Sequence, residues 1–369
     1  MIKKSYSTLL LFTLIIFALF SCNTPPVEHI HSGEAQGTTY TIKYHGDKVV
    51  RQVEVDSLIE SMDIEMNTWR KNSRISKIND FDRTDTVFSF YDKSKIWSVI
   101  WDLSWEINRD TYGAFDPTVK PLVDLWGFGL KHVESVDSSE VDSIMKFVGF
   151  RTDLIDLDEV ETQSNYIETH IIKGDSRVQL DFNAIAQGYT VDMLIDLLQE
   201  AGIVNAMVEL GGEVRCIGVN IEGVPWRIAV DKPVEMGTVE GRPLQAILNV
   251  HNAAVCTSGN YRKSVIIDGK HYSHTIDPRT GYPALNGLLS VTIKGPSAAL
   301  ADSYATACMV LGPEVGRDFI KEIRQKTVGN SIEALFIIDA NIGMEVGKPI
   351  EAPFKFWATE GWAKAITWL

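Results

Sequence analysis

The chain has 369 residues, with 35 Lys+Arg against 49 Asp+Glu and a formal net charge of −14. That balance excludes a general nucleic-acid binder, which needs a basic excess or stripe, but leaves room for an anionic small ligand held at one local site. Hydrophobic content of 45% and charged content of 23% exclude disordered, collagen-like and coiled-coil chains, and the length predicts one large or two intimate domains.

Residues 1–22 read MIKKSYSTLLLFTLIIFALFSC. Lys3 and Lys4 precede an apolar run from Leu9 to Phe20, too short for a comfortable membrane span. The ending Leu19-Phe20-Ser21-Cys22 has the form of a bacterial lipoprotein signal, although Phe20 departs from its tightest version. The expectation is a signal peptide over 1–21, acylation of Cys22, and a Pro-bearing tether over 22–33. An ordinary secretory signal or an anchor helix is the alternative. The expected location is the bacterial cell envelope, lipid-anchored on the extracytoplasmic (periplasmic) face. Cys216, Cys256 and Cys308 remain, an odd number without a C-x-x-C pair. They are expected to be small buried residues, not a disulfide framework or a zinc site.

Thr39–Tyr44 alternates as a strand. Residues 53–66 and 95–108 carry helical periodicity, the second with an aromatic face from Trp97 and Trp101. Residues 131–178 are polar and acidic, with a helix near Ser138–Val148 and irregular strands, and read as an insertion or lobe. A helix covers 190–201. Short strands follow at Ala206–Leu210, Trp226–Val230, Ala254–Thr257, Ser264–Ile267 and Leu289–Ile293. Ser297 is the predicted N-cap of a helix that Gly312 stops. A further helix spans 313–325 and a strand Ala334–Ile338. The Trp-rich segment 346–369 is expected to pack on the body. Strands and helices mix without regular βαβ alternation, which predicts an α+β fold.

Five segments carry chemistry. Gly113-Ala114-Phe115-Asp116-Pro117-Thr118 leads to Leu125-Trp126-Gly127-Phe128-Gly129; it suits a shaped loop around a flat ligand, or a turn with core anchors. Leu180-Asp181-Phe182-Asn183-Ala184-Ile185-Ala186-Gln187-Gly188 ends a strand and opens a helix near Gln187, where backbone groups can approach a ligand closely; close strand–helix packing is the alternative. It is neither a G-x-G-x-x-G nor a Walker pattern. Val208-Glu209-Leu210-Gly211-Gly212-Glu213 suggests a close backbone approach or a hairpin turn. Thr257-Ser258-Gly259-Asn260-Tyr261 precedes His271-Tyr272-Ser273-His274-Thr275-Ile276-Asp277-Pro278-Arg279-Thr280-Gly281, in which His274 stands among hydroxyls as a candidate proton acceptor. In Ala301-Asp302-Ser303-Tyr304-Ala305-Thr306, Asp302 and Thr306 fall at i and i+4 on one helix face. A carboxylate and a hydroxyl so placed suit a hard cation such as Mg2+.

As an ordered set, GAFDPTV, TSGNYR, SHTIDPRTG and ADSYAT, with Gly37-Thr38-Thr39-Tyr40 before them, resemble the ApbE family of FAD:protein FMN transferases over roughly residues 34 to 340. The resemblance implies an α+β fold of two closely associated lobes with the FAD and metal site between them, over a domain spanning 34–345. It implies FAD contacts from Gln36, Trp69, Ala114, Phe115, Asp116, Asp181, Gln187 and Ile276, and Mg2+ ligation by the Ala184 carbonyl, Asp302 and Thr306. Gln36 and Gln187 depart from the common pattern, Met and Lys respectively; losing that Lys removes a cation near the phosphates. The implied reaction moves FMN from FAD to a Ser or Thr hydroxyl of an extracytoplasmic redox protein and releases AMP, with His274 as the favoured proton acceptor and Asp302 and Asp277 as alternatives. An FAD pyrophosphatase giving FMN and AMP, or a non-catalytic flavin-binding lipoprotein, are the competing readings. The implied partners are FAD, an acceptor subunit with a Ser/Thr flavinylation motif, and the membrane through Cys22.

Overall fold

The computed structural model describes residues 26–129, 133–161, 167–233, 243–260, 264–267, 270–327, 331–340 and 354–369. The leader, Cys22, the first residues of the tether and residues 346–353 of the C-terminal segment lie outside the described residues. Among those described, no helix is long and apolar enough to cross a membrane.

An eight-stranded sheet organises the chain. Its strands, in spatial order, are Glu28–Ala35, Thr38–His45, Ala206–Leu210, Glu213–Ile217, Ala253–Gly259, Leu288–Gly295, Glu333–Asp339 and Phe354–Ala358. Each neighbouring pair is antiparallel. Spatial order is also chain order, so the sheet is one meander interrupted by excursions. Thr38–His45 shows why such strands form: Tyr40, Ile42 and Tyr44 alternate inward and are buried. Leu288–Gly295 and Glu333–Asp339 are buried on both faces, which is why their sequences read as near-continuous apolar runs.

Side-chain alternation sends each strand into two cores. Ala334, Phe336 and Ile338 join the large core under the helices Asn183–Glu200 and Ala298–Lys326. Leu335 and Ile337 join a second core with Trp226, Leu248 and Trp362. That second face is covered by the strands Trp226–Asp231, Leu244–Val250 and Thr367–Trp368. A third cluster gathers Leu122, Trp126, Val141, Val148, Ile267 and Ile276. It joins the first chemical segment to the fourth, 150 residues apart in sequence by position. All three remaining cysteines are free and buried, and burial pushes each thiol up from its ordinary range.

The α+β expectation holds, and several boundaries move. The helix expected from 190, or from Gln187, begins at Asn183, because the Asp181 carboxylate accepts from the Asn183 N–H at 2.8 Å and starts the turn earlier. The segment after Asp116 is not a loop: Pro117–Val119 is a 3-10 turn and Lys120–Leu125 a helix. Ser297 caps its helix by accepting from the Leu300 N–H. At Gly312, φ 78 and ψ 178 break that helix, and Pro313 opens the next. The strands Glu213–Ile217 and Leu244–Val250 were not foreseen. In the tail, Phe354–Ala358 adds the last strand of the sheet and Trp362 is buried at 3% exposure.

Candidate active site

A cavity of about 710 Å³ opens beside the N-terminal turns of the two sheet-packed helices. That is within the range of small-molecule sites. Its lining takes in Gln36, Trp69, Ala114, Phe115, Asp116, Asp181, Ala184, Gln187, His274, Ile276, Asp302 and Thr306. Of the predicted residues within the described chain, Asp277 alone does not line it. Both Asp277 oxygens accept from the Arg279 guanidinium at 2.8 Å, closing the Asp-Pro-Arg-Thr-Gly turn instead.

Close packing of helix on helix builds one wall. A Cβ on Gly188 would stand 2.4 Å from the Ala298 carbonyl oxygen, so only glycine lets the helix of Ala184 and Gln187 approach the helix of Asp302 and Thr306 this closely. An ideal helix directs the Gly188 N–H at the Ala184 carbonyl; here that N–H donates to Asp302 Oδ2 at 3.2 Å. The Ser303 hydroxyl donates to the Ala184 carbonyl at 3.2 Å, and Ser258 Oγ lies 3.0 Å from Thr306 Oγ1. Behind this wall Asp192 accepts from the Ala298 and Ala299 N–H groups at 2.8 and 2.9 Å and pairs with Arg215 at 2.7 Å. A carboxylate from one helix thus caps the N-terminus of the other.

Asp302 is the charged member of the set. It is 5% exposed, accepts a hydrogen bond from the Gly188 N–H, and has no cationic partner among the described residues. Burial pushes its carboxyl up to about 7, opposed by the Gly188 N–H and reinforced by Asp192. A buried carboxylate in need of a counter-charge, a backbone carbonyl and a hydroxyl form an all-oxygen donor set that fits Mg2+. Among the described residues no cluster of three or more His, Cys, Asp or Glu could hold a metal.

The opposite wall is set by turns. Asn108 donates to the Phe115 carbonyl at 2.7 Å, and Thr111 Oγ1 accepts from the Phe115 N–H at 3.1 Å, which fixes Ala114 and Phe115 after the aromatic helix Ile96–Asp110. Asp116 accepts from the Thr118 N–H and hydroxyl at 2.7 and 2.6 Å and from the Phe150 N–H at 2.9 Å. Both its oxygens are thus engaged, although burial still raises its pKa. Trp126 Nε1–H donates to the Gly281 carbonyl at 2.8 Å, tying the first segment to the turn after His274. The His274 ring meets the Phe128 ring edge-on at 6.4 Å.

Gln36 and Gly37, at φ 52 and 74, form a two-residue hairpin turn whose tip enters the cavity. Gln36 Nε2 donates to Thr190 at 2.9 Å, while its buried Oε1 has no partner among the described residues, an acceptor held ready for a ligand donor. Gly211 and Gly212, at φ 64 and 105, are both a hairpin turn and a close approach: a Cβ on Gly211 would stand 2.8 Å from Thr38 and 3.3 Å from Gln187. Trp69 is 56% exposed at the rim, an open aromatic face for a planar ring.

Sequence reading missed several contributors. The strand predicted to end at Asp181 is instead an irregular extended segment between Lys173 and Asn183; Asn79 brackets Leu180 there, donating to its carbonyl at 2.8 Å and accepting from its N–H at 2.7 Å, and so takes the place of a strand partner in positioning Asp181. Lys173, fully buried, donates to the Phe81 carbonyl at 2.9 Å, and burial lowers its pKa to about 8. Lys120, Asp124 and Glu213 line the cavity, and Ser258 and Ser303 hold the donor atoms. Glu213, Ser258 and Ser303 stand inside the chemical segments, but nothing in the local pattern marks their roles; Asn79 and Lys173 stand outside them, in no pattern that separates them from ordinary core.

The sequence model of the ApbE family matches residues 36–329. The FAD:protein FMN transferase of Vibrio cholerae is 36% identical over 326 residues, covering 87% of this chain and 90% of that protein. Its counterpart in Haemophilus influenzae is 32% identical, covering 85% and 87%. Among solved structures, the flavin transferase ApbE from Vibrio cholerae superposes with a TM-score of 0.73 at 33% identity, over 92% of this chain and all of that one. The Pseudomonas stutzeri flavinyl transferase ApbE, in its apo form, gives 0.73 at 28% identity, over 92% and 97%.

Proposed function

The chain belongs to the ApbE family, and from that premise we propose how its cavity works. The protein is an FAD:protein FMN transferase. The observation that carries this reading is the convergence of predicted residues, from Gln36 to Thr306, on a single cavity.

In the proposed reaction the hydroxyl of a Ser or Thr in an acceptor redox protein attacks the FMN-side phosphorus of FAD. A new P–O bond forms to the acceptor, the pyrophosphate P–O bond breaks, and AMP leaves. Mg2+, when held by the Ala184 carbonyl, Asp302 and Thr306, supplies charge neutralisation at the pyrophosphate. Trp69 and Phe115 offer apolar faces to the ligand rings. Gln36 offers its unpartnered oxygen. His274 takes the hydroxyl proton, and the edge-on Phe128 ring restricts the imidazole. The walls contributed by the large core and by the cluster around Trp126 support a site between two lobes.

Anchoring is part of the same reading. Lys3, Lys4, the apolar run and Cys22 support a lipid-anchored protein on the extracytoplasmic side of a bacterial membrane. This would place the cavity where extracytoplasmic redox subunits are modified.

The test is direct. Incubated with FAD, Mg2+ and a candidate acceptor, the protein should add one FMN mass to a Ser or Thr of the acceptor and release AMP. AMP and FMN with an unlabelled acceptor would instead establish a pyrophosphatase. FAD recovered intact would leave a binding protein.

A further inference from the structure

The cavity is acidic, yet its proposed substrate is an anion. Asp63, Asp116, Asp124, Asp181, Glu213 and Asp302 line it, and Lys120 is the one Lys or Arg among its described lining residues. Gln187, a neutral amide facing Gly211, supplies no compensating charge. Lys120 Nζ pairs with Asp124 Oδ2 at 2.5 Å, and its side chain is only 18% exposed. The pair runs against local helix electrostatics. Lys120 opens the helix Lys120–Leu125 and Asp124 lies near its end, the order in which an i,i+4 pair is least favoured. Helix stability therefore does not account for it. Asp124 is also pinned: a Cβ on Gly129 would lie 2.0 Å from its Oδ1, so that oxygen sits against the Gly129 backbone. The flexible lysine, not the aspartate, is the partner free to move. The Asp181 N–H donates to the Pro117 carbonyl at 2.7 Å, which holds the start of this helix against the Asp181 side of the cavity. There the Lys120 charge opposes the effect of burial on Asp181.

We propose that Lys120 is a substrate-selecting residue of this chain, its ammonium exchanging Asp124 for a pyrophosphate oxygen of FAD. Asp124 holds the cation in place until an anionic ligand arrives. This assignment rests on the flavin-transfer reading and names a contact within it.

Titration of the full-length protein in EDTA with FAD and with riboflavin, followed by flavin fluorescence anisotropy, tests the assignment without a metal contribution. Lys120→Met should weaken FAD about tenfold or more, the scale of one charge-assisted hydrogen bond. Riboflavin, which has no phosphate, should bind unchanged, and that also reports an intact fold. Lys120→Arg should recover most of the FAD affinity. Asp124→Asn should tighten FAD in the wild-type background and have no effect in the Lys120→Met background. Equal loss of FAD and riboflavin, unchanged FAD affinity in Lys120→Met, or an Asp124→Asn effect that persists without Lys120 would each overturn the assignment while leaving the transferase reading standing. A wild-type protein that binds no flavin either in EDTA or with Mg2+ restored would overturn both.

Discussion

Asp302 and His274 show what single residues carry. Folded, Asp302 titrates at about 7 against an ordinary 3.8. Across that window the folded state keeps a proton that the unfolded chain has lost, so stability falls as pH rises through it. Asp302→Asn removes the charge and retains an oxygen for the Gly188 N–H. In EDTA at pH 8 the variant should melt a few degrees above the wild type. The gain should fade as pH drops below about 7, and FMN transfer should be lost. Thermal scans at pH 5 and pH 8 check this, and a variant that melts below wild type at pH 8 would refute the account of an uncompensated buried charge. His274→Ala should slow AMP release by about 10²- to 10⁴-fold in single turnover with little change in FAD affinity. Unimpaired transfer would remove it as proton acceptor. Both residues were legible in the sequence, through an i,i+4 pair and a His among hydroxyls. Asp277 stood in the same SHTIDPRTG segment, but its pairing with Arg279 turns it from the cavity to the turn.

At the scale of elements, the contact between Asn183–Glu200 and Ala298–Lys326 decides whether the donor atoms meet. Gly188→Ala drives a methyl against the Ala298 carbonyl, where the ideal Cβ position is only 2.4 Å away. The helices must part, and the cost is about 1–3 kcal/mol. A lower Tm together with a raised Mg2+ requirement for transfer is expected; unchanged metal dependence in a destabilised variant would show that the Ala184 carbonyl is not a ligand. Gly312 acts differently. Its φ of 78 and ψ of 178 fall in a region that is essentially glycine-only, so Gly312→Ala should cost on the order of 1–3 kcal/mol, measured by urea denaturation. The break at Gly312 was readable from Gly-Pro alone. The closeness at Gly188 was not, because a glycine inside a helix gives no sign of which neighbour it admits.

For the molecule as a whole, the two-sided sheet separates stability from chemistry. Trp362 belongs to the second core with Leu335 and Ile337, whereas Asp302 and Thr306 stand on a helix of the other face and His274 beside the Trp126 cluster. Trp362→Ala should therefore lower stability by about 3–5 kcal/mol and leave transfer rates nearly unchanged where the variant remains folded, which paired urea curves and initial rates would test. The sequence alone determined the α+β class, the helix caps and stops, the buried cysteines and the ordered motifs that carry the family. Those are local patterns or fixed strings, visible without knowing what lies opposite them. Only the tertiary structure decided that Asp192 and Arg215 brace the Asp302 helix, that Asn79 holds the segment before Asp181, that Asp116 divides its oxygens between its own turn and the Phe150 N–H, and that Lys120 supplies a positive charge to an acidic cavity. Each depends on a partner between 2 and 107 positions away by number, and burial, hydrogen bonding and charge compensation are set by proximity in space.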